Sequence, residues 1–140
     1  MLSYLNKQLS KKERKSVIRY MTQYRNLDAI IRSKQMDLLP SHTVDYEEKP
    51  SQSVRNFHSE AETFAINVDE IEQYRRVKSR LDIVYDSIKP LQRTIWNESF
   101  IDGRYDVDIQ VDNDISKRTY YREKNELICI VAECLGFGTN

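Results

Sequence analysis

The chain has 140 residues, of which 39% are hydrophobic and 31% are charged, and its 22 lysines and arginines balance its 22 acidic residues. This length suits one domain with a helical arm, and no stretch resembles a signal peptide or approaches the roughly 20 apolar residues of a membrane span. We therefore expect a cytoplasmic protein without a membrane partner. Because so polar a chain buries only a modest core, a homodimer is one way to cover its apolar stripes.

The charges are segregated along the chain although their sum is zero. Residues 1–34 contain nine lysines and arginines against two acids, whereas residues 35–70 contain eight acids against two bases. A concentrated basic segment is typical of proteins that bind nucleic acid, but solvated helix faces can also be strongly charged. Composition leaves both interpretations open.

The N-terminal segment, residues 1–36, is predicted to form a basic amphipathic helix. Apolar residues recur at spacings of three and four from about Lys11 to Met36, and basic residues occupy much of the opposite face. Two roles are compatible with this pattern. The apolar stripe packs on residues 71–88, which we favour, or the basic face contacts DNA phosphates without reading sequence.

The middle of the chain is predicted to be a linker followed by helices. Residues 37–58 are acidic and interrupted by prolines, which indicates a flexible linker. Ser59 and Glu62 have the spacing of a capping box at the start of residues 59–88. The clearest helical rhythm covers residues 71–88, whose stripe is predicted to pack on the first helix or on a second copy.

The last part of the chain, residues 89–140, is also predicted to be helical. A helix follows Pro90 and closes near Gly103, the first glycine of the chain. The next stretch, "DVDIQVDND", alternates like a strand, but an isolated strand has no partner, so a short helix is expected. The inward positions of the helix after Pro90 are Leu91, Ile95, Trp96 and Phe100.

A long final helix is predicted to begin after Ser116, which can cap it, and to stop at "GFG". We thus expect an all-α fold in which a helical N-terminal arm packs on a long helix and is followed by a helix-turn-helix. The inward positions of the last helix are Tyr120, Leu127, Val131 and either Cys134 or Leu135.

The start of this last helix has the pattern of a DNA recognition helix. A capped N-terminus binds phosphate, and the first two turns of such a helix enter a major groove about 12 Å wide. Arginine is suited to reading guanine, so Arg118 and Arg122 are predicted to contact bases, with Lys117 and Tyr121 at the backbone. An ordinary bundle helix with a basic exposed face explains the pattern equally well. The predicted DNA-binding residues are Ser116, Lys117, Arg118, Thr119, Tyr121, Arg122 and Asn125.

Four stretches are distinctive together: "YRNLDAIIRSKQMDLLP", "FHSEAE", "VYDSIKPLQRTIWNESFIDGRYDVD" and "DISKRTYYREKNELICIVAECLG". They resemble the ArpU-type phage transcriptional regulators, relatives of the RinA-type late activators and of the fourth region of sigma factors. The most telling motif is the Ile-Ser-x-x-Thr-Tyr-Tyr-Arg pattern that begins at Ile115. The resemblance covers most of the chain.

This resemblance implies a sigma-like helix-turn-helix over residues 90–136, in a bacterial host, that binds double-stranded DNA and regulates phage or prophage genes. In some members these are late or autolysis-related genes, and RNA polymerase is the implied partner that is recruited or blocked. One departure stands out: Asn113 and Asp114 occupy the turn where Leu-Gly or a similar pair is common. The neighbouring aspartates are expected to turn to solvent, since they would repel phosphate.

Enzymatic chemistry and cofactors are not expected. "DVDIQVDND" lacks the glycine and the final glutamate of a calcium loop, and no glycine-rich phosphate loop is present. Cys129 and Cys134 lie in the most apolar stretch and are predicted to be small buried residues. We therefore predict no metal, no small-molecule substrate and no catalytic residue.

One alternative belongs to another functional class. A helical protein-interaction adaptor, such as an anti-sigma-like or coiled-coil module, would use its basic helices on an acidic protein partner without binding DNA. Its binding would depend on the apolar stripe of Tyr74, Leu81 and Tyr85.

Overall fold

The computed structural model describes residues 9–38 and 50–137, with the backbone alone described over residues 50–66. Within these ranges all regular secondary structure is helical, as predicted, and none of the helices is long and apolar enough to cross a membrane. A 3₁₀ turn lies at Tyr24–Asn26 and a π-helical turn at Trp96–Ile101. The α-helices are α1 (Lys11–Gln23), α2 (Leu27–Asp37), α3 (Pro50–Ser87), α4 (Pro90–Ile95), α5 (Asp106–Asp112) and α6 (Lys117–Leu135).

The chain forms two compact units, and α3 runs through both. The smaller unit comprises residues 27–76, that is α2 and the first part of α3. Inside it, Lys34 Nζ lies 2.6 Å from Glu70 Oε1 and over the ring of Tyr74. The larger unit combines α1 with everything from residue 77 onward, and it contains all the predicted DNA-binding residues.

The first predicted helix is broken into two. The helix starts at Lys11, as predicted, behind a capping box in which Ser10 and Glu13 each bond the other's backbone N–H. It ends at Gln23, and α2 begins only after the 3₁₀ turn at Tyr24–Asn26. The interruption coincides with a tertiary contact, because the Tyr24 hydroxyl donates a hydrogen bond to Asp82 Oδ1 at 2.5 Å. The spacing of the apolar residues does not predict this contact.

The long helix α3 starts earlier than predicted. Residues 50–58, the end of the predicted linker, are helical, and residues 59–88 contain no new helix start. Pro50 is compatible with a first helical position, where its missing N–H would have no partner in any case. The prediction of a flexible linker is therefore wrong for residues 50–58, while residues 39–49 lie outside the described part of the chain.

Trp96 is the centre of the larger unit. Its side chain is fully buried, and the indole N–H donates a hydrogen bond to the carbonyl oxygen of Met21 at 2.9 Å. That carbonyl lies in the last turn of α1 and also accepts the Tyr24 N–H, so the indole is its second donor. The rings of Tyr24 and Tyr85 flank the indole, with centroids 5.0 Å and 5.3 Å away. One side chain thus joins α1, α3 and the π-helical turn.

Helix α4 follows α3 after a short break and is tied to the end of α3. The Arg93 side chain donates hydrogen bonds to the carbonyls of Tyr85 and Asp86, at 2.9 Å and 3.1 Å. A cation beside the last carbonyls of a helix satisfies them and interacts favourably with the negative end of the helix dipole. Of the predicted inward residues Ile95, Trp96 and Phe100 are buried, but at the start of the helix Gln92 is buried in place of Leu91.

Replacing Trp96 by Phe is expected to lower the free energy of unfolding by about 1–3 kcal/mol, because it removes the buried indole hydrogen bond to the Met21 carbonyl and opens a small cavity. Urea unfolding followed by circular dichroism measures this loss. As a control, Tyr105→Phe changes a side chain that is 80% exposed and should alter stability little. An equal loss in both variants would contradict the role given to the indole.

Candidate nucleic-acid interface

Helices α5 and α6 are joined by a turn of four residues, 113–116, which is the length found in helix-turn-helix motifs. The Ile115 N–H donates to the Gln110 carbonyl at 3.1 Å, and the Asp114 N–H donates to the Val111 carbonyl at 3.2 Å. These two bonds form a Schellman motif, which ends a helix with one residue in the left-handed region. Asp114 is that residue, with φ of 52°.

The same motif closes α6, but with a glycine. There the Phe137 N–H donates to the Ala132 carbonyl, the Gly136 N–H donates to the Glu133 carbonyl, and Gly136 has φ of 88°. Aspartate is among the few other residues that adopt the left-handed region with modest strain. Asp114 therefore makes the turn that glycine commonly makes, and the unusual Asn113-Asp114 pair leaves the turn geometry intact.

Ser116 caps α6, as predicted. Its hydroxyl oxygen accepts a hydrogen bond from the Thr119 N–H at 3.1 Å, and its O–H donates to the Thr119 side-chain oxygen at 3.0 Å. The N–H groups of Lys117 and Arg118 belong to the first turn and have no carbonyl acceptor within the helix. The start of α6 consequently has the exposed amides and positive dipole end that favour an anion.

The basic side chains predicted to reach DNA are on the surface. Lys117 and Arg118 are exposed, and the Arg122 side chain is 65% exposed with its Nε 3.6 Å from Glu123. Arg118 and Arg122 are four residues apart and so lie on one face of the helix. This face belongs to the first two turns of α6, where a recognition helix contacts base edges.

Two other predicted residues are engaged within the protein. Tyr121 is half-buried, and its hydroxyl donates to Asp106 at 3.2 Å. Asn125 is also half-buried and accepts a hydrogen bond from the Arg14 guanidinium at 2.8 Å. This second bond links α6 to α1, which packs against α6 and the π-helical turn. Both side chains therefore hold α6 in place and are only partly available for contact with a ligand.

Asp106, at the start of α5, holds several side chains of the last helix. Its carboxylate accepts hydrogen bonds from the hydroxyls of Tyr120 and Tyr121, and Lys124 Nζ lies 2.9 Å away. Ser99 of the π-helical turn donates to it at 3.3 Å. Burial acts to raise the pKa of Asp106, but the hydrogen bonds and the Lys124 charge prevail and lower it. The carboxylate is therefore ionised and fixes α6 on α5.

The acidic residues around α5 were expected to face solvent, and this holds for only some of them. Asp108, Asp112 and Asp114 are exposed, and Asp112 pairs with Arg104. Asp106 is half-buried in the cluster just described, so the expectation is wrong for it. Its negative charge is balanced inside the protein by Lys124.

A buried polar group on α6 was not predicted from the sequence. Glu123 is buried, lies 3.2 Å from Lys89 Nζ, and accepts a hydrogen bond from the buried Gln92. The signal was present, because Glu123 falls between Tyr120 and Leu127 at helical spacing, on the apolar stripe itself. A carboxylate at such a position requires a partner, and Gln92 of α4 and Lys89 just before it supply one.

The inward face of α6 is otherwise close to the prediction. Tyr120, Leu127 and Val131 are buried, whereas Leu135 is half-buried. Cys129 is a buried thiol, and burial raises its pKa. Cys134 is exposed, which corrects the expectation that both thiols are buried: it continues the face of Leu127 and Val131, but it lies in the last turn of α6. The residues described include no group of three His, Cys, Asp or Glu side chains placed to hold a metal ion.

Comparisons with known proteins return no match: no family model fits the chain, and no curated protein or solved structure is significantly similar to it.

Asp106→Asn is expected to lower the free energy of unfolding at neutral pH by about 1–3 kcal/mol, because it removes charge-assisted bonds from Lys124 and two tyrosines. The folded-state pKa of Asp106 is lowered, so this contribution is present above the ordinary carboxyl pKa of about 3.9 and is lost as the pH falls through the folded-state value. Denaturant titrations of both proteins at several pH values measure it. A difference in unfolding free energy between the two proteins that stays constant into strong acid would contradict this role for the ionised Asp106 carboxylate.

Asp114→Gly is expected to raise the free energy of unfolding by roughly 0.5–1 kcal/mol, because glycine adopts the left-handed region without strain. Thermal unfolding of the purified variant measures the change. Asp108→Gly is the matched control, since Asp108 is an exposed residue within α5, where glycine should be destabilising. A loss of stability in Asp114→Gly would argue against the turn described above.

Proposed function

We propose that the protein is a sequence-specific, double-stranded DNA-binding transcriptional regulator whose recognition helix is α6. One observation carries the proposal. In the first turns of α6, after a four-residue turn, Arg118 and Arg122 are exposed on one face and Lys117 at the helix start, while Tyr120 and Lys124 on another face are bound by Asp106. A helix fixed on one side and basic on the other fits the major groove.

In this proposal each part of the helix start has a separate task. The amides behind the Ser116 cap bind a phosphate, and Lys117 adds a second backbone contact. Arg118 and Arg122, one turn apart, each present a guanidinium fork that matches the acceptors of guanine in the major groove. Thr119, Tyr121 and Asn125 support this surface from its edges, consistent with their half-buried positions.

Helix α1 supports the proposal with a second basic surface. Val17 and Met21 are buried, so α1 has a packing role, but it packs mainly on α6 and the π-helical turn and not, as expected, on residues 71–88. Lys11, Lys15 and Arg19 are exposed and follow one another at four-residue spacing along one face. We assign them phosphate contacts that add affinity without reading sequence.

Regulation would follow from occupancy of a promoter region. A bound copy recruits RNA polymerase or blocks it, and the regulated genes are those of a phage or prophage, with late or autolysis-related genes as the first candidates. These statements rest on the resemblance to ArpU-type regulators together with the exposed basic face of α6.

The adaptor alternative has less support from the same structure. Leu81 is buried, and Tyr85 packs against Trp96 and accepts a hydrogen bond from Asn97 at 2.7 Å. Tyr74, in the smaller unit, lies under the Lys34 ammonium. The stripe that an adaptor or a coiled-coil homodimer would use is thus largely engaged within a single chain.

Selection of bound duplexes from a random-sequence pool by the full chain is expected to enrich a motif. Arg118→Ala/Arg122→Ala should weaken binding of that motif by about 1–3 kcal/mol for each arginine that reads a base, and should weaken binding to unrelated duplexes much less. Fluorescence anisotropy titrations at two salt concentrations measure both effects.

Arg32→Ala/Arg76→Ala is the matched control, because it removes two exposed arginines from the smaller unit. It should leave the affinity for the enriched motif unchanged. If folded wild-type protein enriches no motif, the DNA-binding proposal fails and the adaptor becomes the leading account.

A further inference from the structure

The outer face of α5 is apolar although it is exposed. Val107 and Val111 are 62% and 74% exposed and, being four residues apart, lie on the same face of the helix. Tyr105, directly before the helix, is 80% exposed. Among the described residues six large hydrophobic side chains are exposed, and these three fall within seven consecutive positions. Single exposed apolar side chains are ordinary, but a cluster marks a contact surface.

The surroundings of this face are acidic. Residues 98–114 contain six acids and one base, Arg104, which is itself bonded to Glu98 and Asp112. Asp108 and Asp114 are exposed on and beside α5. A phosphate backbone would be repelled here, so the face is unsuited to nucleic acid. An apolar centre with a charged rim is instead the usual anatomy of a protein contact.

We infer that the face formed by Tyr105, Val107 and Val111 docks a segment of another protein that presents apolar side chains between lysines or arginines. The valines supply the apolar contact area, and Asp108 and Asp114 supply charge complementarity for the basic flanks. The site lies on α5, the helix before α6. On the proposed function, a regulator that binds DNA through the basic face of α6 therefore presents an acidic surface for a protein partner on α5.

The inference is tested by panning a displayed library of random helical peptides against the full-length wild-type chain. Enriched peptides should combine apolar residues with lysine or arginine. Val107→Gln/Val111→Gln should weaken their binding about tenfold, because it removes apolar contact area and places amides that must be desolvated at the centre of the contact. Ile83→Gln, at another exposed apolar residue, is the matched control and should leave binding unchanged.

Charge provides a second readout. Asp108→Asn/Asp114→Asn keeps side-chain size and a residue that tolerates the left-handed turn, yet it should weaken peptide binding several-fold and reduce its salt dependence. Circular dichroism confirms that each variant is folded. Both sets of variants should retain binding to the DNA motif, so failure here is distinguishable from failure of the DNA-binding proposal.

Three outcomes would overturn the inference. One is that no peptide is enriched, and another is that the enriched peptides are acidic or bind the Val107→Gln/Val111→Gln variant as tightly as wild type. The third is that sedimentation shows a wild-type dimer that this variant abolishes, which would assign the face to a second copy of the chain.

Discussion

The Asp106 carboxylate is the interaction on which the arrangement of the last two helices depends. It bonds Tyr120, Tyr121 and Lys124 of α6 and Ser99 of the π-helical turn. These bonds act together with the buried apolar stripe of α6, which leaves its basic residues on the surface. The same contact orients α5 so that its valines point outward. The face of α6 proposed to bind DNA and the face of α5 proposed to bind protein thus both depend on one charge placed between the two helices.

Local signals in the sequence were sufficient for much of this fold. The Ser116 cap, the inward Trp96 and the short helix formed by "DVDIQVDND" each follow from residues within a few positions of one another, where capping, helical spacing and the cost of an unpaired strand decide the outcome. The exposure of Arg118 and Arg122 follows in the same way, because the apolar stripe of α6 fixes which face remains outside.

The features that escaped prediction depend on residues far apart in the chain. The break of the first helix at Tyr24 coincides with a bond to Asp82, and the Asp106 cluster joins positions fourteen to eighteen residues apart. Hydrophobic periodicity does not predict contacts between residues that are so far apart in the chain. Glu123 is an intermediate case, because a carboxylate on an apolar stripe signals a buried partner without identifying it as Lys89.

The most direct measurement is a map of backbone amide chemical shifts while the full chain is titrated with a duplex that carries its selected motif. The account predicts that the largest shifts fall in residues 116–122, with smaller, salt-sensitive shifts along the exposed face of α1 and none on the outer face of α5. Shifts concentrated on Val107 and Val111, or in the smaller unit, with residues 116–122 unaffected, would contradict it.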